Sequence, residues 1–199
     1  MIYFRIIKLA LADQKGVSPA NRLIPEVLEG LSKFAHLISV DFFQDLLSNL
    51  RQILRRDENQ DSGHFREISA ALANDQKERR IYRQLSVRDK LQCVITAFQL
   101  LTGQGEALNL DLREFQVHLY QLLPQMMTAS HVGLHAQHGK TESQLLVRAL
   151  DLMLFKLRPH PPISRVAAFA KRITNISLHL PSTISRQLVD IVVELFKVC

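Results

Sequence analysis

Tryptophan is missing from this 199-residue sequence, and cysteine occurs only twice, as Cys93 and Cys199. Two thiols so far apart make neither a disulfide framework nor a thiolate metal site, a usage that fits a reducing intracellular compartment. Aromatic residues are only 7 % against 47 % hydrophobic overall, so Leu and Ala carry the core, which favours helices over sheets. No stretch shows the alternating apolar pattern of a strand. Long apolar runs are lacking too: none reaches the roughly 18 residues of a membrane span, and Arg5 and Lys8 interrupt Met1 to Ala12, so that segment is no secretory signal. The net charge of +6 and pI near 9.6 favour an anionic partner. Lysine and arginine are nevertheless scattered, with no run as dense as a nuclear-localisation or RNA-binding tail.

What is present is helical amphipathicity. From Leu23 to Ile38, with Val27 at the origin of a wheel of ~100° per residue, Leu28, Leu31, Phe34, Ala35 and Ile38 fall on one side. Glu26, Glu29, Ser32, Lys33 and His36 fall on the other, the wet face. Pro25 starts or bends this helix. Glu29 and Lys33 stand one turn apart in the favourable order. Gly30, at the margin of the apolar face, lets a neighbouring helix come close. Ser39 or Asp41 caps a second helix in which Phe42, Phe43, Leu46, Leu47, Leu50, Ile53 and Leu54 share a face. Two such helices joined by a few residues run antiparallel to cover each other.

Before this hairpin, Ile2 to Leu11 reads as the later part of a helix with no N-cap, so a longer protein is expected, of which this is a fragment. After it, Asp57 to Leu85 is dominated by charged and amide side chains around Gly63. This predicts a mobile charged insertion, about residues 57–85, in an otherwise single helical domain over 1–199. Limited proteolysis should therefore cut first between Arg56 and Arg83 and leave two associated fragments. Initial cleavage inside Pro25 to Leu54 would contradict that expectation.

Ser86 with Asp89 resembles a capping box for Val87 to Leu101, with Asp in place of the usual Glu or Gln. Leu91, Val94, Ile95 and Phe98 form one apolar face there and Cys93, Ala97 and Leu100 a second, so this helix is expected to be packed on two sides. Gly103 and Gly105 end it. Asn109 or Asp111 caps the next helix, through Phe115, Leu119, Leu122 and Leu123, with Pro124 near its end. Thr141 and Gln144 box Leu145 to Leu157, apolar almost all round and therefore central. Two helices, about Ile163 to Leu180 and Ser182 to Val198, follow the break at Arg158 to Pro162.

Chemical motifs are few. His131, His135 and His138 share a loop, but its glycines argue against the helix that a metal pair needs, and no carboxylate or cysteine joins them. Thr102-Gly-Gln-Gly105 follows a helix, whereas nucleotide loops follow strands. No nucleophile has a positioned base, so the sequence points to no catalytic, cofactor or metal residues and to no enzyme. Lys77, Arg79, Arg80 and Arg83, with Tyr82 among them as a stacking group, form the best candidate RNA contact. Arg165, Lys171 and Arg172 form a second, on the wet side of their helix. Solvated charge is the plainer reading of both clusters. The surplus of apolar faces points instead to a protein partner, especially at Val189, Val193 and Phe196.

Ile24-Pro-Glu-Val-Leu-Glu-Gly-Leu-Ser-Lys-Phe-Ala-His-Leu-Ile38 with Asp41-Phe-Phe-Gln-Asp-Leu-Leu47 closely resembles the nucleolar complex protein family, its third subfamily in particular. Cys93-Val-Ile-Thr-Ala-Phe-Gln-Leu-Leu-Thr-Gly-Gln-Gly-Glu-Ala-Leu-Asn-Leu-Asp111 resembles a second hallmark of that family, with its CCAAT-binding-factor-type domain. With helix-pair alternation, the resemblance implies an all-α fold of antiparallel helix pairs stacked as a short HEAT/armadillo-like solenoid or an irregular bundle. Pro25, Leu28, Gly30, Leu31, Phe34, Phe42, Phe43 and Phe98 would be the family-motif core. It further implies a non-enzymatic assembly or transport factor for large (60S) ribosomal-subunit precursors in the nucleus, nucleolus and nucleoplasm. The implied partners are another nucleolar complex protein in a heterodimer, pre-ribosomal proteins and rRNA, with no membrane. The alternative is a chromatin-associated factor in DNA replication initiation, partnered by replication factors.

Overall fold

Every regular element of the computed structural model is helical among the described residues, which are 2–12, 23–34, 37–55, 85–102, 111–128, 141–157 and 161–198. They are α1 (Ile2–Ala12), α2 (Ile24–Phe34), a 3₁₀ turn (Val40–Phe42) leading into α3 (43–55), α4 (Val87–Leu101) and α5 (Arg113–Thr128). After them come α6 (Glu142–Asp151), running on into a π turn (Leu152–Lys156), then α7 (Ile163–Ser177) and α8 (Ser182–Val198). The expected insertion at about 57–85 lies almost wholly outside the described residues, as do the histidine loop and the basic cluster from Lys77 to Arg83.

Helix α4 is the axis of the stack. It packs against α2, α5, α6 and the π turn, and the Cys93 thiol reaches the Leu50 carbonyl of α3 at 3.7 Å. Nearly all of it is buried, including Leu91, Val94, Ile95 and Phe98 on one face and Cys93, Ala97 and Leu100 on the other. Its ends follow from local chemistry. Ser86 Oγ accepts from the Asp89 N–H at 3.2 Å, and Asp89 returns a bond to the Ser86 N–H at 3.3 Å. Thr141 and Gln144 make the same reciprocal pair before α6. The remaining contacts run in helix pairs, α1 on α2, α5 on α7, α6 on α8 and α7 on α8.

The motif stretch departs from its wheel at three places. Helix α2 stops at Phe34, so the wheel drawn to Ile38 runs past the helix. Phe34, on its last turn, is 48 % exposed although its direction is apolar. Phe42 is 39 % exposed, because it closes a 3₁₀ turn of ~3 residues per turn, to which the α-helical wheel of 43–55 does not apply. It meets the ring of Phe4 edge-on at 6.3 Å. Leu28, Leu31, Phe43 and Phe98 are buried, whereas Pro25 and Gly30 are half-buried. A Cβ on Gly30 would come within 3.0 Å of the Tyr3 ring, so the close neighbour is α1.

Ser32 is the third departure. The wheel places it on the wet face, but it is buried. Ser32 Oγ donates to the Glu29 carbonyl at 2.9 Å and accepts from Gln92 Nε2 at 2.6 Å. One turn on, Thr96 Oγ1 donates to the Gln92 carbonyl at 2.8 Å and reaches the Leu28 carbonyl at 3.3 Å. The amide of Gln99, another turn along, lies between the Ser32 carbonyl and the Arg148 guanidinium of α6. Gln92, Thr96 and Gln99 thus form a polar seam at i, i+4, i+7 that joins α4 to α2. Each buried polar group in it has a partner, as low-dielectric burial demands.

Helix α6 also changes pitch. The Leu157 N–H donates five residues back to the Leu152 carbonyl at 2.9 Å, closing a π turn. The wider turn brings Asp151 and Lys156 together at 2.7 Å. Leu152, Met153, Leu154 and Leu157 are all buried, as expected of a central helix.

Candidate functional site

The candidate sites are helix faces, and their value depends on whether each side chain is already engaged. Among the described residues no group of three or more His, Cys, Asp or Glu side chains could hold a metal ion, and no helix is long and apolar enough to cross a membrane. The Cys93 thiol is pushed far above its ordinary range by burial, so it is a packing residue.

The second basic cluster is not on a wet face, and that expectation is corrected. Arg165 and Arg172 lie i, i+7 on α7 and both turn toward α5. Arg165 Nη1 donates to Gln116 Oε1. Arg172 Nη1 donates to the Tyr120 carbonyl at 2.8 Å, with its guanidinium 3.7 Å from the centre of the Tyr120 ring. Phe169 meets the same ring edge-on at 5.2 Å.

For Arg172 the cause lies in Pro124, which sits inside α5 rather than near its end. A regular helix would satisfy the residue-120 carbonyl with the N–H of residue 124, which proline lacks. Arg172 supplies the missing donor from the neighbouring helix. Lys171, turned away from this pair, is exposed. The signal was legible: an apolar pattern reaching Met126 across Pro124 implies an orphan carbonyl four residues before the proline.

A second charged contact joins α3 to the start of α5. Arg55 holds Glu114 through two N–H groups of one guanidinium edge, Nε donating to Oε1 and Nη2 to Oε2, the latter at 3.0 Å. Arg51 lies 3.6 Å from Glu114 Oε2, donates to the Asp111 carbonyl, and places its guanidinium 5.6 Å from the Phe115 ring. Asp111 Oδ1 accepts the Arg113 N–H at 2.8 Å, one residue before the N-cap position, which Leu112 holds. His118 Nε2 lies 3.9 Å from Glu114 Oε1. These charges are occupied in holding helices together.

Helix α8 presents the opposite situation. Ile184, Leu188, Ile191 and Leu195 are buried, while Val189, Val193 and Phe196 are exposed, Phe196 by 76 %. The exposed three lie at i, i+4, i+7 and form one apolar stripe on the outer side. Around it stand Arg186, Asp190 and the paired Glu194 and Lys197, at 2.6 Å. The stripe is therefore an apolar strip within a charged surround.

The sequence profile of the CBF/Mak21 family matches residues 90–198, from the first turn of α4 through α8. Among curated relatives, Nucleolar complex protein 3 homolog of Xenopus laevis is 38 % identical over 180 residues, 90 % of this chain. Its Homo sapiens counterpart is 37 % identical over 178 residues, 89 % of the chain. Nucleolar complex protein 3 of Drosophila melanogaster is 35 % identical over 181 residues, 90 % of the chain. The chain spans 17 % of the length of each of these relatives.

Proposed function

Because this chain belongs to the CBF/Mak21 family, we propose that it acts as a non-enzymatic factor in the assembly and transport of large (60S) ribosomal-subunit precursors in the nucleolus and nucleoplasm. In this reading it is a scaffold, paired with another nucleolar complex protein. The observation that carries the proposal is its similarity, over 90 % of its length, to relatives named as nucleolar complex proteins. The exposed apolar stripe of α8 supports a contact role.

Two surfaces divide the work. The stripe of Val189, Val193 and Phe196 captures the protein partner, because exposed apolar residues in register give specific affinity once desolvated. Lys77, Arg79, Arg80 and Arg83, joined by Lys171, supply RNA affinity by counterion release, which carries no sequence information and weakens with salt. Arg165 and Arg172 contribute to RNA only through whatever edge the α5 contact leaves open.

Charge reversal at Lys77, Arg79, Arg80 and Arg83 is expected to lower RNA affinity and flatten its salt dependence while partner capture survives. Val189→Ser with Val193→Ser and Phe196→Ser is expected to abolish partner capture while RNA binding survives, with the helical circular-dichroism signal unchanged. The tagged chain should co-sediment with large pre-ribosomal particles and leave them on ribonuclease treatment. Loss of the partner by the charge-reversed chain, with retention by the stripe variant, overturns the division. Retention on chromatin after ribonuclease, without particle association, would favour the replication-initiation reading instead.

A further inference from the structure

Among the described residues, helix α1 carries a face that neither the packing nor the proposed scaffold role uses. Ile7 and Ala10 are buried toward the stack, with Phe4, Ile6 and Leu11 packed partly against it. The opposite side shows Ile2, Arg5, Lys8, Leu9 and Ala12, all exposed, with Ile2 77 % and Leu9 55 % open to solvent. Ile2 and Leu9 stand i, i+7 apart on one line, with Arg5 and Lys8 beside it.

The helix contains no acidic residue at all. On its packed flank Tyr3 lies against Gly30, and the α2 carboxylate Glu29 is held by Lys33 at 2.8 Å. On the other flank the Phe4 ring faces Phe42, and the Lys8 ammonium stands 4.5 Å from the Phe4 ring centre. The outer face is therefore aliphatic at its centre and wholly cationic in charge, which differs from the mixed charge around the α8 stripe.

We propose that the outer face of α1 docks an acidic amphipathic helix of another protein, its apolar stripe on Ile2 and Leu9 and its carboxylates on Arg5 and Lys8. Charge complementarity selects this occupant. A second copy of α1 would bring like charges together, which disfavours self-pairing. A nucleic acid would use the cations but leave Ile2 and Leu9 exposed, since the bases stack on aromatic rings and Phe4 is turned to Phe42. Ile2 and Leu9, i and i+7 on one face, match two of the anchor positions by which amphipathic helices pack on one another. The proposal does not rest on the ribosomal reading.

The test uses the intact 199-residue chain and a fluorescein-labelled synthetic helix with leucines at helical spacing flanked by glutamates. Controls are a scrambled peptide, a lysine-for-glutamate version and a single-stranded RNA oligonucleotide. Fluorescence anisotropy should show binding of the acidic helix and not of the scrambled peptide. Leu9→Ser should weaken it about tenfold, the scale of exposing one buried leucine. Arg5→Glu with Lys8→Glu should abolish it and create binding of the lysine version, a gain that misfolding cannot produce. Val193→Ser on α8 should leave it unchanged.

Equal binding by the Leu9→Ser and charge-reversed chains overturns the proposal. So does displacement of the peptide by RNA at matched charge, which would make the face a phosphate surface. Concentration-dependent dimerisation that is lost in Leu9→Ser would assign the face to self-association and likewise overturn it.

Discussion

Phe98→Ala is expected to unfold this chain or bring it to the edge of unfolding, whereas Phe34→Ala is expected to leave it nearly as stable as the parent. Phe98 is fully buried in α4, where the other helices converge. Truncating such a ring removes its transfer free energy and leaves a cavity, costing about 3–5 kcal/mol, a large share of the roughly 5–15 kcal/mol that holds a domain folded. Phe34 belongs to the same apolar wheel as Leu28 and Leu31, but it ends α2 and is half exposed. Its truncation should cost under about 1 kcal/mol, the ordinary scale of surface changes. Urea midpoints followed by circular dichroism separate the two. Comparable losses for both variants would mean that the end of α2 is packed after all.

That contrast marks how far the sequence could be read. Helix direction and the start of α4 were legible because they are local. Ser86 with Asp89 sets where α4 begins, and its two apolar faces announce a helix with neighbours all round. Whether a neighbour extends as far as the last turn is not local, which is why Phe34 was misjudged. Phe42 failed for another reason: a 3₁₀ turn changes the angle per residue, and the wheel then points the side chain wrongly.

Ser32 and the seam of Gln92, Thr96 and Gln99 were missed because a polar residue on a wheel reads as wet. Only the partner helix shows that each of these groups exchanges its hydrogen bonds with protein instead of water. The candidate sites follow the same rule. The exposed stripe of Val189, Val193 and Phe196 could be read from α8 alone, since it is the surplus left when Leu188 and its neighbours have been buried. Arg172 could not, because its role depends on a defect in a helix some fifty residues earlier, Tyr120 being 52 positions from Arg172, and Arg165 could not because its acceptor, the Gln116 amide, lies on that same helix.

That defect yields the second large effect. Arg172→Met should lower stability by about 2–5 kcal/mol, combining a charge-assisted hydrogen bond of ~1.5–3 kcal/mol with a cation–π contact of ~0.5–2 kcal/mol. For a chain of this size that is a melting shift of roughly 4–20 °C. The size alone would not identify the cause, since losing the packed stem of an arginine also destabilises. Pro124→Ala separates the two. Alanine restores the N–H that the Tyr120 carbonyl lacks, so the carbonyl no longer depends on α7. In that background Arg172→Met should cost about 1–2 kcal/mol less than in the parent, a coupling of the kind expected only when residues share a partner. Pro124 and Arg172 sit on different helices, and the single carbonyl between them is the shared element. Equal costs in the two backgrounds would show that Arg172 acts through the Tyr120 ring alone, and that the proline leaves no acceptor for it to satisfy.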